Sequence, residues 1–164
     1  MSCIRISIKP YLFLFILIDL ITQSCKSKKS DSTTLTSEDF SSKTERIDVL
    51  RKEIKIFSEL KDAEFYLINA NGFSNQRVSV PGASSLDYQF AIKIDTNDIN
   101  MWLEGMTETP GHITNNYWID KIPVSRKENW ETHSTPKVFT RIGNSVTMFV
   151  YKDEGIIFKH IWSN

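Results

Sequence analysis

The sequence contains little cysteine. Only two cysteines are present among 164 residues, Cys3 and Cys25, and both lie within the first 25 positions. The rest of the chain has no pair of thiols that could form a disulfide, so a folded domain there must depend on its hydrophobic core. The roughly 120 residues after position 41 are the length of one domain and are enough to build such a core.

An excess of charge of either sign is also absent. The chain has 20 basic and 20 acidic side chains, and its formal net charge is zero. Without residues 1–24, which contain Arg5, Lys9 and Asp19, it would keep 18 basic and 19 acidic side chains. Nucleic-acid binding requires a basic surface that neutralises phosphates, so the sequence predicts no nucleic-acid partner.

The common catalytic and cofactor-binding motifs are missing. The sequence after Cys25 contains no Walker loop, no G-x-G-x-x-G, no H-E-x-x-H and no C-x-x-C. Its histidines, His112, His133 and His160, lie far apart, whereas a zinc site normally needs three or four ligands at characteristic spacings. We therefore predict no metal site, no cofactor and no enzymatic activity.

No apolar run is long enough to cross a membrane. The longest is Tyr11–Ile18, and a spanning helix needs about 20 apolar residues. Arg5 and Lys9 precede the run, and a short polar stretch follows it, which is the layout of a secretory signal. An uncleaved anchor or a buried N-terminal helix is the alternative.

Cys25 stands at the end of this segment, directly after the small residue Ser24. The arrangement resembles the lipobox of bacterial lipoproteins, in which the cysteine carries diacylglycerol through a thioether and the signal is cut before it. Thr22 and Gln23 depart from the leucine and small residue usual there, and ordinary secretion with another cut is the alternative. The resemblance implies a signal peptide over 1–24 and a lipid attached at Cys25.

The resemblance also implies a location in the cell. We expect the mature protein to be anchored to a membrane of a Gram-negative cell envelope, on the periplasmic face or at the outer membrane. Secretion into the periplasm is the alternative.

Residues 25–41 are predicted to be a disordered tether. The stretch Lys26–Thr34 contains only lysine, serine, threonine and aspartate, which cannot bury enough apolar surface to offset the entropy of ordering the chain. Its lysines would attract anionic lipid headgroups, or the stretch is a plain solubilising spacer. We place a single globular domain at 42–164.

Two helices are predicted in this domain. Ser42-Lys-Thr-Glu45 has the form of a capping box, and the residues behind it are apolar at spacings of three and four, which favours a helix over 43–60. A second, shorter helix over 97–106 follows a cap at Thr96-Asn-Asp98.

Five segments have the composition or alternation of strands, and the stretch 107–136 is expected to be mostly loop. The predicted strands are 64–70, 88–94, 138–142, 146–151 and 156–162. Together these elements predict an α+β fold: one mainly antiparallel sheet of about five strands, with the long N-terminal helix and the short second helix packed on one face.

Three residues are candidates for contact with a ligand or partner. Trp118 and Trp130 fall in the irregular stretch, and tryptophan and arginine are favoured at interface hot spots. Arg77 lies in the polar stretch 71–87, whose side chains suit hydrogen bonding to a polar ligand. The alternative for both tryptophans is that they plug the core from its edge.

The resulting hypothesis is a lipid-anchored binding or interaction protein of the envelope, without catalytic activity. Its partner would be a protein or a small polar ligand, and an immunity- or inhibitor-like protein is one concrete form. The first alternative is a small envelope enzyme that uses the loop 107–136, where Glu131 and His133 could act as an acid–base pair. The second alternative is a structural accessory lipoprotein. The sequence does not indicate an oligomeric state.

Overall fold

The computed structural model describes residues 33–73, 85–110, 117–141 and 145–163, which belong to one compact unit. In these residues the fold is α+β, with a single antiparallel sheet of seven strands. The strands are β1 Thr34–Thr36, β2 Asp62–Asn69, β3 Leu86–Lys93, β4 Thr107–Glu108, β5 Lys137–Thr140, β6 Val146–Tyr151 and β7 Ile156–Ser163. The α-helices are α1 Lys43–Glu53 and α2 Ile99–Trp102, and short 3₁₀ helices span Ser37–Asp39, Thr96–Asp98, Tyr117–Lys121 and Val124–Trp130.

The strands lie in the order β1-β2-β3-β7-β6-β5-β4. The last three predicted strands, 138–142, 146–151 and 156–162, correspond to β5, β6 and β7, which lie side by side in sequence order and form a C-terminal meander. Between β6 and β7 the chain turns at Gly155, whose φ of +65° favours glycine. A Cβ atom at this position would lie 2.5 Å from the carbonyl oxygen of Ile94, so only glycine fits the turn. Gly143-Asn144, whose composition is typical of a turn, lies outside the described residues.

The prediction of about five strands was too low. The two additional strands, β1 and β4, contain three and two residues, too few for any alternation to show in the sequence. The strand β1 lies inside 25–41, which we predicted to be a disordered tether. Its order comes from backbone pairing with β2 and from Leu35, which packs against the core. Residues 25–32 of that range are not among those described.

The first helix is shorter than predicted. It ends at Glu53, and Ile54 already has extended dihedral angles. Ile54 and Phe57 still pack against the core, from a non-helical segment. Extended chain advances about 3.3 Å per residue and helix 1.5 Å, so the extended segment carries the chain further toward β2. At the helix start, Ser42 makes no side-chain capping bond.

The second helix is also shorter than the predicted 97–106. A 3₁₀ turn leads into the four residues of α2, and the cap is Asp95, which accepts a hydrogen bond from the Asn97 amide at 3.0 Å. Trp102 at the end of α2 is buried, and its indole nitrogen donates to Ser58 Oγ at 2.9 Å.

Both faces of the sheet are packed, whereas the prediction placed helices on one face and no element on the other. One face, here called the helix face, holds a core that includes Leu50, Phe90 and Trp102. The other face, here called the tryptophan face, holds a second core around Trp118 and Trp130. Residues 117–130, here called the cover segment, supply both tryptophans and lie over this second face.

Candidate functional site

The tryptophan face is divided into a covered half and an open half. Residues directly opposite each other in neighbouring strands share a face, so the strand register gives rows of side chains across the sheet. Ala91, Phe158 and Phe149 form one row and belong to the core under the cover segment. Further along the strands, Tyr66, Gln89 and His160 form the next row, and Ile68, Asp87 and Trp162 form the row after it. The change from apolar to polar rows marks the end of the cover.

Asp87 and His160 form a hydrogen-bonded pair on this open half. His160 Nε2 lies 2.7 Å from Asp87 Oδ1, and both side chains are part exposed. Gln89 Nε2 donates to the same Oδ1 at 3.1 Å, while its distance to Oδ2 is 3.4 Å. His160 and Gln89 therefore both hold the carboxylate through Oδ1, whereas Oδ2 has only the longer contact with Gln89.

Lys121 connects the cover segment to this open half. Its Nζ donates a hydrogen bond to Gln89 Oε1 and lies 5.6 Å from the centroid of the Tyr66 ring, a cation–π distance. Tyr117, from the same segment, lies close enough to Asp87 to interact electrostatically with its carboxylate. Burial raises the pKa of Tyr117, and the Asp87 carboxylate raises this pKa further.

Two large aromatic side chains are exposed on the same half. Tyr66 and Trp162 are each 38% exposed, and the Trp162 ring lies 4.7 Å from the His160 ring. A cleft of about 390 Å³ opens here. It is lined by Ile68, Ser85, Leu86, Asp87, His160, Trp162 and Ser163. An aromatic surface with a few oriented polar groups is the usual composition of a small-ligand site, so the cleft is the candidate functional site.

A buried ionic network fixes the cover segment beside this cleft. Glu64 Oε1 accepts from Arg126 Nε at 2.6 Å, and Glu64 Oε2 accepts from the Ser37 hydroxyl at 2.5 Å. Arg46 Nε lies 3.3 Å from Glu64 Oε1, and the same guanidinium donates to Asp62 at 2.8 Å. Hydrogen bonding to Glu64 raises the pKa of Arg126. The network joins the N-terminal edge of the sheet to the segment that carries Lys121.

The tryptophans predicted as binding candidates are core residues. Trp118 is 2% exposed and Trp130 is 0% exposed, and their rings meet edge to face at 6.3 Å. Trp118 also stacks on Phe158, and its indole nitrogen donates to the Tyr151 hydroxyl at 3.4 Å. The alternative that both residues plug the core is therefore the one observed.

The predicted binding residue Arg77 and the predicted lipid attachment site Cys25 both lie outside the described ranges.

The residues that do form the cleft were missed by the sequence analysis, although a partial signal was present. The alternation of β3 places Gln89 on the face away from the helix-face core, and Asp87, two residues earlier, lies on the same face. His160 and Trp162 are likewise two residues apart in β7, so they share a face. The pairing of β3 with β7, which brings Asp87 to His160, cannot be read from either strand alone.

The predicted acid–base pair of the alternative enzyme hypothesis lies elsewhere. Glu131 and His133 are exposed and do not line the cleft. The backbone amide of His133 instead donates to Glu154 at 2.6 Å, and Ser134 bonds the same carboxylate through its amide and its hydroxyl. Burial alone would raise the pKa of Glu154, but these hydrogen bonds lower it below its ordinary value.

In the part of the chain that the structure describes, no three or more His, Cys, Asp or Glu side chains are grouped in a way that could hold a metal ion. No helix among the same residues has the length and apolar character needed to cross a membrane.

Comparisons with protein-family models, with curated proteins and with solved structures found no match to this chain.

Proposed function

We propose that this protein is a lipid-anchored, non-catalytic binding protein of a bacterial cell envelope, and that its ligand binds in the cleft at Asp87, His160 and Trp162. The observation that carries the binding proposal is the cleft of about 390 Å³, where a carboxylate, an imidazole and a half-exposed indole converge. Ligand pockets are about 300–1,000 Å³ in volume and combine aromatic surface with a few placed polar groups, and this cleft agrees on both counts.

The anchor rests on the N-terminal sequence. The basic residues Arg5 and Lys9, the apolar run Tyr11–Ile18 and Cys25 follow each other as in lipoprotein signals. A lipid on Cys25 would hold the domain at the membrane, with part of 25–41 as the connection. The proposed location is the periplasmic face of the envelope or the outer membrane.

Replacing Cys25 with alanine is expected to release the protein from the membrane fraction. The substituted chain has no thiol at which diacylglycerol could be attached, and lipid chains supply the membrane affinity of such anchors. Fractionation of expressing cells, with mass spectrometry of the mature N-terminus, measures both the release and the missing lipid. A Cys3→Ala variant is the matched control and should stay membrane-bound. A Cys25→Ala protein that stays in the membrane would refute the anchor.

Occupation of the cleft is expected to protect Trp162 from a soluble quencher. The other three tryptophans, Trp102, Trp118 and Trp130, are at most 2% exposed, so iodide should quench the fluorescence of Trp162 alone. We expect the small-molecule fraction of a bacterial envelope extract to reduce this quenching in the full-length protein. The retained compound can then be identified by mass spectrometry after dialysis.

Two variants show whether such protection arises in the cleft. Trp162→Phe should lose most of the quenchable signal, and Asp87→Ala should keep the signal but lose the protection. Asp120→Asn, at an exposed carboxylate of the cover segment outside the cleft, is the control and should behave as the unchanged protein. Unaltered quenching with every extract fraction would contradict the binding proposal.

A further inference from the structure

We propose that the ligand of the cleft is a neutral saccharide, with one sugar ring stacked on Trp162 and its hydroxyl groups bonded to Asp87 and His160. This inference rests on the binding function proposed above and names the chemical class of the ligand. Three features support it: the charge of the open half, the kind of hydrogen-bonding groups that it presents, and its exposed aromatic surface.

Among the described residues that line the cleft, Asp87 is the one with a formal charge. Lys121 places a positive charge beside the cleft through its contacts with Gln89 and Tyr66. A ligand with a net negative charge would be repelled by the Asp87 carboxylate, and a cationic ligand by the Lys121 ammonium group, which lies beside the cleft at Gln89 and does not line it. A neutral ligand avoids both penalties, since like charges at close range repel.

Asp87 presents hydrogen-bond acceptor positions to a ligand in the cleft. Asp87 Oδ1 is shared between His160 and Gln89, whereas Oδ2 has only the 3.4 Å approach from Gln89. A carboxylate has about four acceptor positions, so several remain for a ligand. The second ring nitrogen of His160, Nδ1, donates or accepts according to the tautomer, and a hydroxyl group of a ligand can do either. The site therefore selects a ligand with several O–H or N–H donors.

An extended peptide would also supply donors, but the backbone here offers it no pairing edge. The strands β2, β3 and β7 each have a neighbour on both sides, so their main-chain groups are already used within the sheet. A peptide that binds by strand addition needs an exposed sheet edge. Hydroxyl groups carried on a compact ring satisfy the hydrogen-bonding positions of Asp87 and His160 without such an edge.

The exposed indole favours a ring with an apolar face. Trp162 is 38% exposed although its ring packs against His160, so part of the indole remains open to a ligand. The face of an aromatic ring is electronegative and attracts the positively polarised C–H groups of a stacked partner. A pyranose ring has such C–H groups on its faces and hydroxyl groups at its rim. The volume of about 390 Å³ lies near the lower end of the range for ligand pockets, which suits a short saccharide.

The test uses full-length protein in a polyoxyethylene detergent, which contains no sugar. The probes are the neutral trisaccharides of N-acetylglucosamine, mannose and galactose, together with maltotriose and cellotriose. Glucuronic acid and glucosamine serve as anionic and cationic comparisons. Iodide quenching of Trp162 and saturation-transfer NMR of the sugar protons measure binding. We expect at least one neutral trisaccharide to protect Trp162 and to receive saturation from aromatic protons, with weaker binding of the charged sugars.

The variants locate the bound sugar. Asp87→Ala should weaken binding at least about tenfold, as expected for the loss of hydrogen bonds to a charged group. Trp162→Ala, followed by NMR, should remove binding of the same sugar. Asp120→Asn should leave the affinity unchanged, and thermal melting shows whether each variant is folded. If Asp87→Ala does not fold, Asp87→Asn, which keeps the shape but removes the charge, should still lower the affinity.

The outcomes separate this inference from the proposed function. If no neutral sugar protects Trp162 but an envelope extract does, the saccharide inference is overturned and the binding function stands. If neither protects it, both fail. A neutral sugar that binds equally well to Asp87→Ala and Trp162→Ala occupies another surface, and this also overturns the inference.

Discussion

Replacing Glu64 with glutamine is expected to lower the free energy of unfolding by about 3 kcal/mol. Glu64 is buried, and its two oxygens receive the Ser37 hydroxyl and the guanidinium of Arg126, with Arg46 close by. Glutamine keeps the shape but removes the negative charge, and it turns one acceptor into a donor that faces other donors. A buried ion pair broken on one side leaves uncompensated charge, which is among the most costly of single changes. Urea unfolding followed by circular dichroism measures the loss.

The matched control is the same substitution at an exposed ion pair. Glu108 lies on strand β4 and accepts from Lys137 at 2.8 Å, but both side chains are about half exposed. Solvent screens such a pair, so Glu108→Gln should cost less than about 1 kcal/mol. Equal losses for the two variants would show that burial does not strengthen the Glu64 network, contrary to the expectation.

Replacing Lys159 with methionine is expected to stabilise the protein by up to about 3 kcal/mol at pH 7. Lys159 is only 7% exposed and lies between Phe90 and Met148 of the neighbouring strands. Burial, with a smaller contribution from nearby Arg141, lowers the pKa of Lys159 from 10.5 to about 8. Burying the charged amine therefore costs free energy in the folded state. Methionine has a similar length but no charge, so the Lys159→Met variant does not have this cost.

The pH dependence of this gain has a definite sign. Below pH 8 the amine is protonated in both the folded and the unfolded chain, and the full cost is present. Between pH 8 and about 10.5 the folded chain releases the proton while the unfolded chain keeps it, so the stability of the unchanged protein rises relative to the variant. The advantage of Lys159→Met should therefore shrink across this window.

Chemical unfolding of both proteins at a series of pH values measures the difference directly. Other groups titrate in the same range, but they are common to the two proteins and cancel in the difference. Lys152→Met, at an exposed position, is the control and should change stability little at any pH. A stabilisation by Lys159→Met that does not change between pH 7 and pH 10.5 would contradict the assignment to buried charge.

The strands were the best predicted part of the fold. The alternation Tyr88, Phe90, Ile92 places one apolar side of β3 in the helix-face core, as observed. The strands of the C-terminal meander also lie close to their predicted positions. Alternation is a local property of an extended chain with one buried face, so a single segment of sequence is enough to predict it.

The helices were predicted less well, because their ends depend on contacts made elsewhere. Ile54 and Phe57 continue the helical spacing of α1, but both reach the core from an extended chain. Phe57 meets Trp102 edge to face at 5.1 Å, a contact between segments 45 residues apart. A periodic pattern shows which residues are apolar, but the partner that buries them decides the backbone conformation.

The cover segment could not be predicted because it has no periodic pattern. Trp118 and Trp130 lie in short 3₁₀ helices, and their burial follows from the apolar row of Ala91, Phe158 and Phe149 beneath them. A tryptophan in an irregular stretch fits a core or an interface equally well by composition. The sheet face that it meets decides between the two.

The sequence by itself determined the α+β class and the apolar sides of the long strands, since each depends on residues that are close together in the chain. The lipid at Cys25 stays a prediction from the same kind of local pattern. The tertiary structure alone decided the covering of the second sheet face and the meeting of Asp87 with His160. Asp87 and His160 are far apart in sequence, and they are joined because β3 pairs with β7 in one register out of many. A shift of that register by one residue would turn one of the two side chains to the opposite face, so the cleft exists only through the pairing of the strands.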